Sequence, residues 1–200
     1  MRPGLAFLII SPMRTAARLT SLALAACLAG QATAAPLDAA RREELEKAQP
    51  AWTETKARAR RMSDAFLDNV KKSPNQAKFQ KHIEKTWELF DAIETRETSR
   101  RSRLRTKLQL LRTDGKITAA ESRRRSEALD KVYRNRMLFI YGGSLPRILD
   151  EAVTDARGNR IGRQYAGPEW RIEITEDEFR ELAESYNRAC GFSEAELNAP

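Results

Sequence analysis

The chemistry open to this chain starts from a single histidine. His82 is the only one in 200 residues, and it falls beside Ile83 on the core edge of an apolar-periodic stretch. Gly142-Gly143-Ser144 lacks the G-x-S-x-G spacing of a nucleophile elbow, so Ser144 would have only His82 as its base. One histidine and two cysteines fall short of an ordinary zinc ligand set. Acids are plentiful: Glu84, Glu88, Asp91 and Glu94 recur at helical spacing, interleaved with Lys81 and Lys85, as on a solvated helix face. The stretch Leu110–Glu121 carries half of a calcium loop, with Asp114, Gly115, Ile117 and Glu121 at its fifth, sixth, eighth and twelfth places. Leu110 and Arg112 stand where the first and third oxygens belong. Calcium takes about six to eight oxygens and an arginine repels it, so a plain hairpin turn is expected. The sequence therefore assigns no catalytic residue, cofactor or metal site, and the expectation is a protein that is not an enzyme. A cell-wall-acting hydrolase working through helix carboxylates is the alternative.

Cations carry the stronger pattern. The net charge is +8, and it is unevenly spread. Residues 99–136 hold thirteen Lys/Arg against four Asp/Glu, a local +9, whereas residues 166–200 hold three Arg against nine acids, a local −6. Within the basic stretch, Arg100, Arg101, Arg103 and Arg105 face Arg123, Arg124 and Arg125 across a turn. These seven are the candidate partner-binding residues. Such a charge dipole steers an acidic partner to one end or pairs the chain's own ends in a dimer.

What the partner is depends on compartment. Residues 1–34 contain Arg2, Arg14 and Arg18 and no acid. With Met13 as the start, Arg14 and Arg18 form a positive n-region, Leu19–Gly30 an uncharged apolar stretch, and Ala32-Thr33-Ala34 a small-residue cleavage site. Residues 1–34 are thus expected to be an export signal of the bacterial envelope, ahead of one domain over 37–200. Leu24-Ala25-Ala26-Cys27 also resembles a bacterial lipobox, which would make Cys27 a lipidated N-terminus at the outer membrane. Both readings place the chain in the periplasm, soluble or lipid-anchored, and remove nucleic acid as a target. An acidic protein or an anionic envelope component remains. With Cys27 removed or lipidated, Cys190 has no partner for a disulfide and is expected to be buried and inert.

The elements that must position these residues are mostly helical. A charged helix over 38–48 stops near Pro50. A second, 51–72, carries Trp52, Ala59, Met62, Phe66 and Val70 as one stripe. Ser73-Pro74-Asn75-Gln76 has the form of a capping box opening a third helix, which has no Pro or Gly as far as Arg112. Its two apolar stripes, Phe79–Ile93 and Leu104–Leu111, flank a polar gap over 94–103, where it either breaks or protrudes. Thr118 and Glu121 open a fourth helix with Leu129, Val132, Tyr133, Met137 and Ile140 inward, ended by Gly142-Gly143. A short helix from Ser144 to about Val153 follows. Alternation of Ile161, Arg163 and Tyr165, then Trp170, Ile172 and Ile174, predicts a small β-hairpin. Thr175 and Glu178 cap a terminal helix with Phe179, Leu182, Ala183 and Tyr186 inward, and Ser193 with Glu196 starts a last turn. The expected fold is mainly α: a helical bundle built on a long antiparallel helical hairpin, with residues 155–200 as a β-hairpin-plus-helix subregion.

Two short stretches resemble known envelope families. Residues 40–58, with Leu45, Ala48, Gln49 and Trp52, are similar to the AQ-x-x-W helix of periplasmic lysozyme inhibitors, although that family's flanking cysteines are missing and no inhibitory residues carry over. Ile117-Thr118-Ala119-Ala120-Glu121 is similar to the LTxxQ motif of small periplasmic chaperones, with Glu121 in place of the glutamine. These resemblances imply binding rather than catalysis. The functional expectation is an envelope protein that binds another macromolecule, as an inhibitor, an immunity protein or a chaperone-like adaptor. A structural lipoprotein is a further alternative.

Overall fold

Among the described residues, side-chain caps open four of the six α-helices. In the computed structural model, which describes residues 37–145, Leu149 and 171–199, Asp38 Oδ1 accepts from the Arg41 N–H at 2.7 Å and opens α1, Ala39–Ala48. Helix α2 runs from Trp52 to Asn69, α3 from Gln76 to Thr113 and α4 from Ala119 to Phe139. Thr118 caps α4 by accepting from the Glu121 N–H at 3.1 Å. Thr175 and Ser193 each complete a reciprocal capping box, with Glu178 and Glu196, and open α5 (Glu176–Cys190) and α6 (Glu194–Asn198).

The α3–α4 connection is a Schellman turn. Gly115 sits at φ 68°, its N–H donates to Arg112 O at 3.1 Å, and the Lys116 N–H donates to Leu111 O at 2.9 Å. Only a residue without Cβ adopts that conformation at no steric cost. The turn returns the chain antiparallel, so the expected long hairpin is present.

Two hydrophobic clusters lie along that hairpin. The first gathers Phe66 of α2 and Val70 just after it, Phe79, Ile83, Trp87 and Phe90 of α3, Met137 of α4, and Tyr141, Leu145 and Leu149 beyond it. The second joins Leu45 of α1, Leu104 and Leu108 of α3, Leu129 and Val132 of α4, and Leu182, Tyr186 and Leu197 of the terminal helices. Each fully buried Leu or Phe contributes about 1.5–3 kcal/mol of burial free energy, which exceeds the small propensity differences between residues in these helices. The stripes read from spacing in α2, α3 and α4 enter the clusters, except for Leu111, which is half-buried and belongs to neither.

Three local expectations are corrected. Ser73 does not cap α3: the helix opens at Gln76 after Asn75, which makes no side-chain cap. Ser73 instead closes a turn, its N–H donating to Val70 O at 2.8 Å while its Oγ accepts from the Asn75 N–H. Gly142-Gly143 does not end α4 either. The chain passes through a π-turn over Ile140–Ser144, and positive φ among the described glycines belongs to Gly115 and Gly191. Complete burial of Tyr141 and Leu145 holds the helical path where glycine propensity alone would release it. Third, no strand occurs among the described residues. Ile161 to Trp170 of the expected β-hairpin lie outside them, as does most of the expected helix up to Val153. Ile172 and Ile174 fall in irregular chain and pack as partly buried residues on the second cluster. No helix among the described residues is long and apolar enough to cross a membrane.

Candidate interaction surface

Helix α3 does not break in its polar gap: it runs through 38 residues, about 57 Å at 1.5 Å per residue. The gap is filled from the other end of the chain. Glu97 and Arg100 are buried there, with side chains 8% and 9% exposed, and they pair with each other. Arg136 of α4 donates to the second oxygen of Glu97 at 3.0 Å. Both arginines then reach the C-terminal segment. Arg100 donates to Ala199 O at 2.7 Å and to Asn198 O at 3.3 Å. Arg136 donates to Leu197 O at 2.9 Å and to Asn198 Oδ1 at 2.9 Å. Three successive carbonyls are thus held by two guanidinium groups that share one carboxylate.

The seven arginines of the basic stretch separate by depth. Arg100 belongs to this network. Arg101 and Arg105 divide the two oxygens of Asp130, at 2.7 and 2.6 Å, and the Arg101 guanidinium lies 4.9 Å from the Tyr133 ring centre. Arg125 pairs with Glu121 at 2.8 Å, and its Cζ would lie 2.8 Å from a Cβ built on Gly191. Arg103 is exposed at the edge of the C-terminal segment, 3.5 Å from Ala199 O. Arg123 and Arg124 are exposed and make no ion pair among the described residues. Spacing alone did not separate these groups. It also missed Arg112, exposed in the last turn of α3, and Leu110, 58% exposed two residues before it.

Part of the local charge imbalance is met within the fold by acids from outside the basic stretch. Lys107 pairs with Glu196, Lys131 with Glu46 at 2.6 Å, and Arg41 with Glu178 at 2.7 Å. The Arg41 guanidinium, aided by the Thr175 N–H and hydroxyl, holds the Glu178 carboxyl well below the usual range, at about 2. Lys107, with Ser193, does the same for Glu196, also at about 2. Glu196 thus ties the acidic tail to the basic hairpin, and Glu178 ties it to α1.

The remaining chemistry-bearing residues occupy separate places. His82 sits half-buried with Nε2 3.3 Å from Thr86 Oγ1, and burial pushes its pKa down. Ser144 lies in the π-turn. Asp91 and Glu94 share the Lys56 ammonium at 2.9 and 2.6 Å, and the Tyr141 hydroxyl donates to Glu94 at 2.5 Å. Burial opposes the charge on Lys56, but the two carboxylates and the phenol outweigh it and raise its pKa. Burial, then the bond to Glu94, raises that of Tyr141. Asp114 meets Lys116 at 3.2 Å, and no group of three or more His, Cys, Asp or Glu is placed to hold a metal among the described residues. Cys190 is completely buried, donates to Asn187 O at 3.0 Å and has its thiol pKa raised by burial, the setting of an inert thiol. Cys27 and the rest of residues 1–36 lie outside the described residues. No known protein-family model, curated protein or solved structure matches the chain.

Proposed function

We propose that this chain is an exported bacterial envelope protein that binds an acidic protein through the outer end of the α3–α4 hairpin, without catalysis. The observation that carries the reading is the division of the arginines. Those near the hairpin's root are engaged by acids of the same chain, whereas Arg112, Arg123 and Arg124 at its outer end are exposed, as is Leu110. Exposed cations and an exposed apolar side chain at one end of the hairpin supply both halves of a recognition surface, long-range steering and a dry contact. Export rests on the n-region, apolar stretch and cleavage site of residues 13–34.

Reversal of Arg112, Arg123 and Arg124 to Glu in the full chain is the test, read by capture of partner from envelope extract over a salt series. The triple variant is expected to lose at least tenfold in capture while its circular dichroism stays unchanged. Equal capture by the folded variant would refute the surface. Cell fractionation tests export separately: a mature N-terminus at Ala35 or Cys27 is expected, and an intact chain in the cytosol would refute that part.

A further inference from the structure

Among the described residues two large apolar side chains are exposed, Leu89 at 39% and Leu110 at 58%. Both lie on α3, three heptads apart. The repeat between them is complete. Arg96 and Arg103 take the two intervening places, and Ala92, Ser99 and Thr106 take the alternate ones, all of them exposed. Leu89 stands two residues after Trp87, about 200° round the helix, so this seam runs along the side of α3 turned away from both clusters. Near its middle, Thr98, Ser99, Ser102, Arg103 and Thr106 line an open depression.

The inward side of the same helix has the same layout. Ile83, Trp87 and Phe90 are apolar at one end, Leu104 and Leu108 at the other, and Glu94 and Glu97 stand between. Neighbouring helices bring opposite charge to those acids: Lys56 of α2 meets Glu94 at 2.6 Å, and Arg136 of α4 meets Glu97 at 3.0 Å. The outward seam repeats the apolar ends, but its central charges are cations and it stays exposed. We infer that this seam, from Leu89 to Leu110, docks one amphipathic helix of a partner protein. That helix carries apolar residues about 32 Å apart and acids between them. The inference rests on the reading of an acidic protein partner, and it adds the side of α3 that the partner lies along and what it presents. A second copy of α3 does not fit. Parallel pairing in register sets Arg96 against itself, and antiparallel pairing of Leu89 with Leu110 sets Arg96 against Arg103, like charges that oppose association. Helix α3 is unbroken along the whole seam, so docking has to order only the incoming helix.

The test uses the full chain and two labelled helical peptides followed by fluorescence anisotropy. Each peptide has leucines three heptads apart, with glutamates at the central seam places in one and lysines in the other. Wild type is expected to bind the glutamate peptide roughly tenfold more tightly than the lysine peptide. Arg96→Glu with Arg103→Glu is expected to reverse that order, whereas the same charge change at Arg123 and Arg124 is expected to preserve it. Leu89→Ser with Leu110→Ser, at exposed positions, is expected to weaken the glutamate peptide roughly fivefold with circular dichroism unchanged. Equal binding of the two peptides by wild type, or no binding of either, overturns the seam. So does an order that survives Arg96→Glu with Arg103→Glu, or undiminished binding by the folded serine variant. Reversal by Arg123→Glu with Arg124→Glu also overturns it, by assigning the attraction to net charge. The outer end is judged separately, by extract capture with Arg112, Arg123 and Arg124 reversed. Loss of the peptide order leaves that capture result standing, and unchanged capture leaves the peptide order standing.

Discussion

The root and the outer end of one helical hairpin carry the same residue type to opposite ends. Near the root, Arg100 and Arg136 are bound to Glu97 and to tail carbonyls, and Arg101 and Arg105 to Asp130. At the outer end, Arg112, Arg123 and Arg124 are exposed. The difference is supplied by distant sequence. Carbonyls of residues 197–199 hold Arg100 and Arg136, Glu196 pairs with Lys107, and Gly191 packs against Arg125. An arginine run therefore tells of charge, and the segment folded over it tells whether that charge is structure or surface.

The comparison breaks most sharply at Glu97. Removing it leaves two partly or fully buried guanidinium groups without their carboxylate, and Glu97→Ala is expected to cost about 3–5 kcal/mol, read by urea unfolding. A loss below about 1 kcal/mol would mean that the root arginines are no more structural than the outer ones. Next comes Gly191→Ala, which places a Cβ at positive φ against the Arg125 guanidinium. A loss of roughly 1–2 kcal/mol is expected from backbone strain, and Arg125→Ala should relieve only the contact and not the strain. Asp130→Ala frees two half-exposed arginines and is expected to cost about 0.5–1 kcal/mol, as surface pairs do. Smallest is the stability effect of Arg123→Glu with Arg124→Glu, expected within about 0.5 kcal/mol, although partner capture should fall.

Acid titration sharpens the same contrast. Glu178 joins the tail to α1 and Glu196 joins it to α3, and their folded pKa values lie near 2 against an ordinary 4.5. Their contribution is complete above pH 4.5 and is lost as pH falls from there toward 2. Stability measured by thermal melts should decline across that window. Arg41→Gln should shrink the part due to Glu178, and a melt series identical to wild type would remove the Arg41–Glu178 pair as a stabilising contact.

Much of the scaffold was legible in local pattern. The capping residues Thr118, Thr175 and Ser193 and the stripes of α2, α3 and α4 follow from period and hydrogen-bond chemistry alone, because each is decided within a few residues. Burial of Cys190 was readable for the same reason. What escaped was set by partners far along the chain. The polar gap of α3 read as either a break or a protrusion because its acid and arginine find each other and residues 197–199 only in the folded state. Gly142-Gly143 looked like a stop because burial of Tyr141 and Leu145 is invisible from glycine propensity. The basic run looked uniform for lack of any local mark separating Arg101 from Arg124. A polar interruption inside a long helical pattern free of Pro and Gly was the one clue to the buried network.

The length of α3 has a mechanical result. Trp87 in one cluster and Leu108 in the other are joined by uninterrupted helix, so the clusters are set on a common beam. From Trp87 to Thr113 that beam spans roughly 39 Å at 1.5 Å per residue. A load applied where the hairpin ends would be transmitted along hydrogen-bonded backbone to the aromatic packing at the far side instead of being absorbed at a joint.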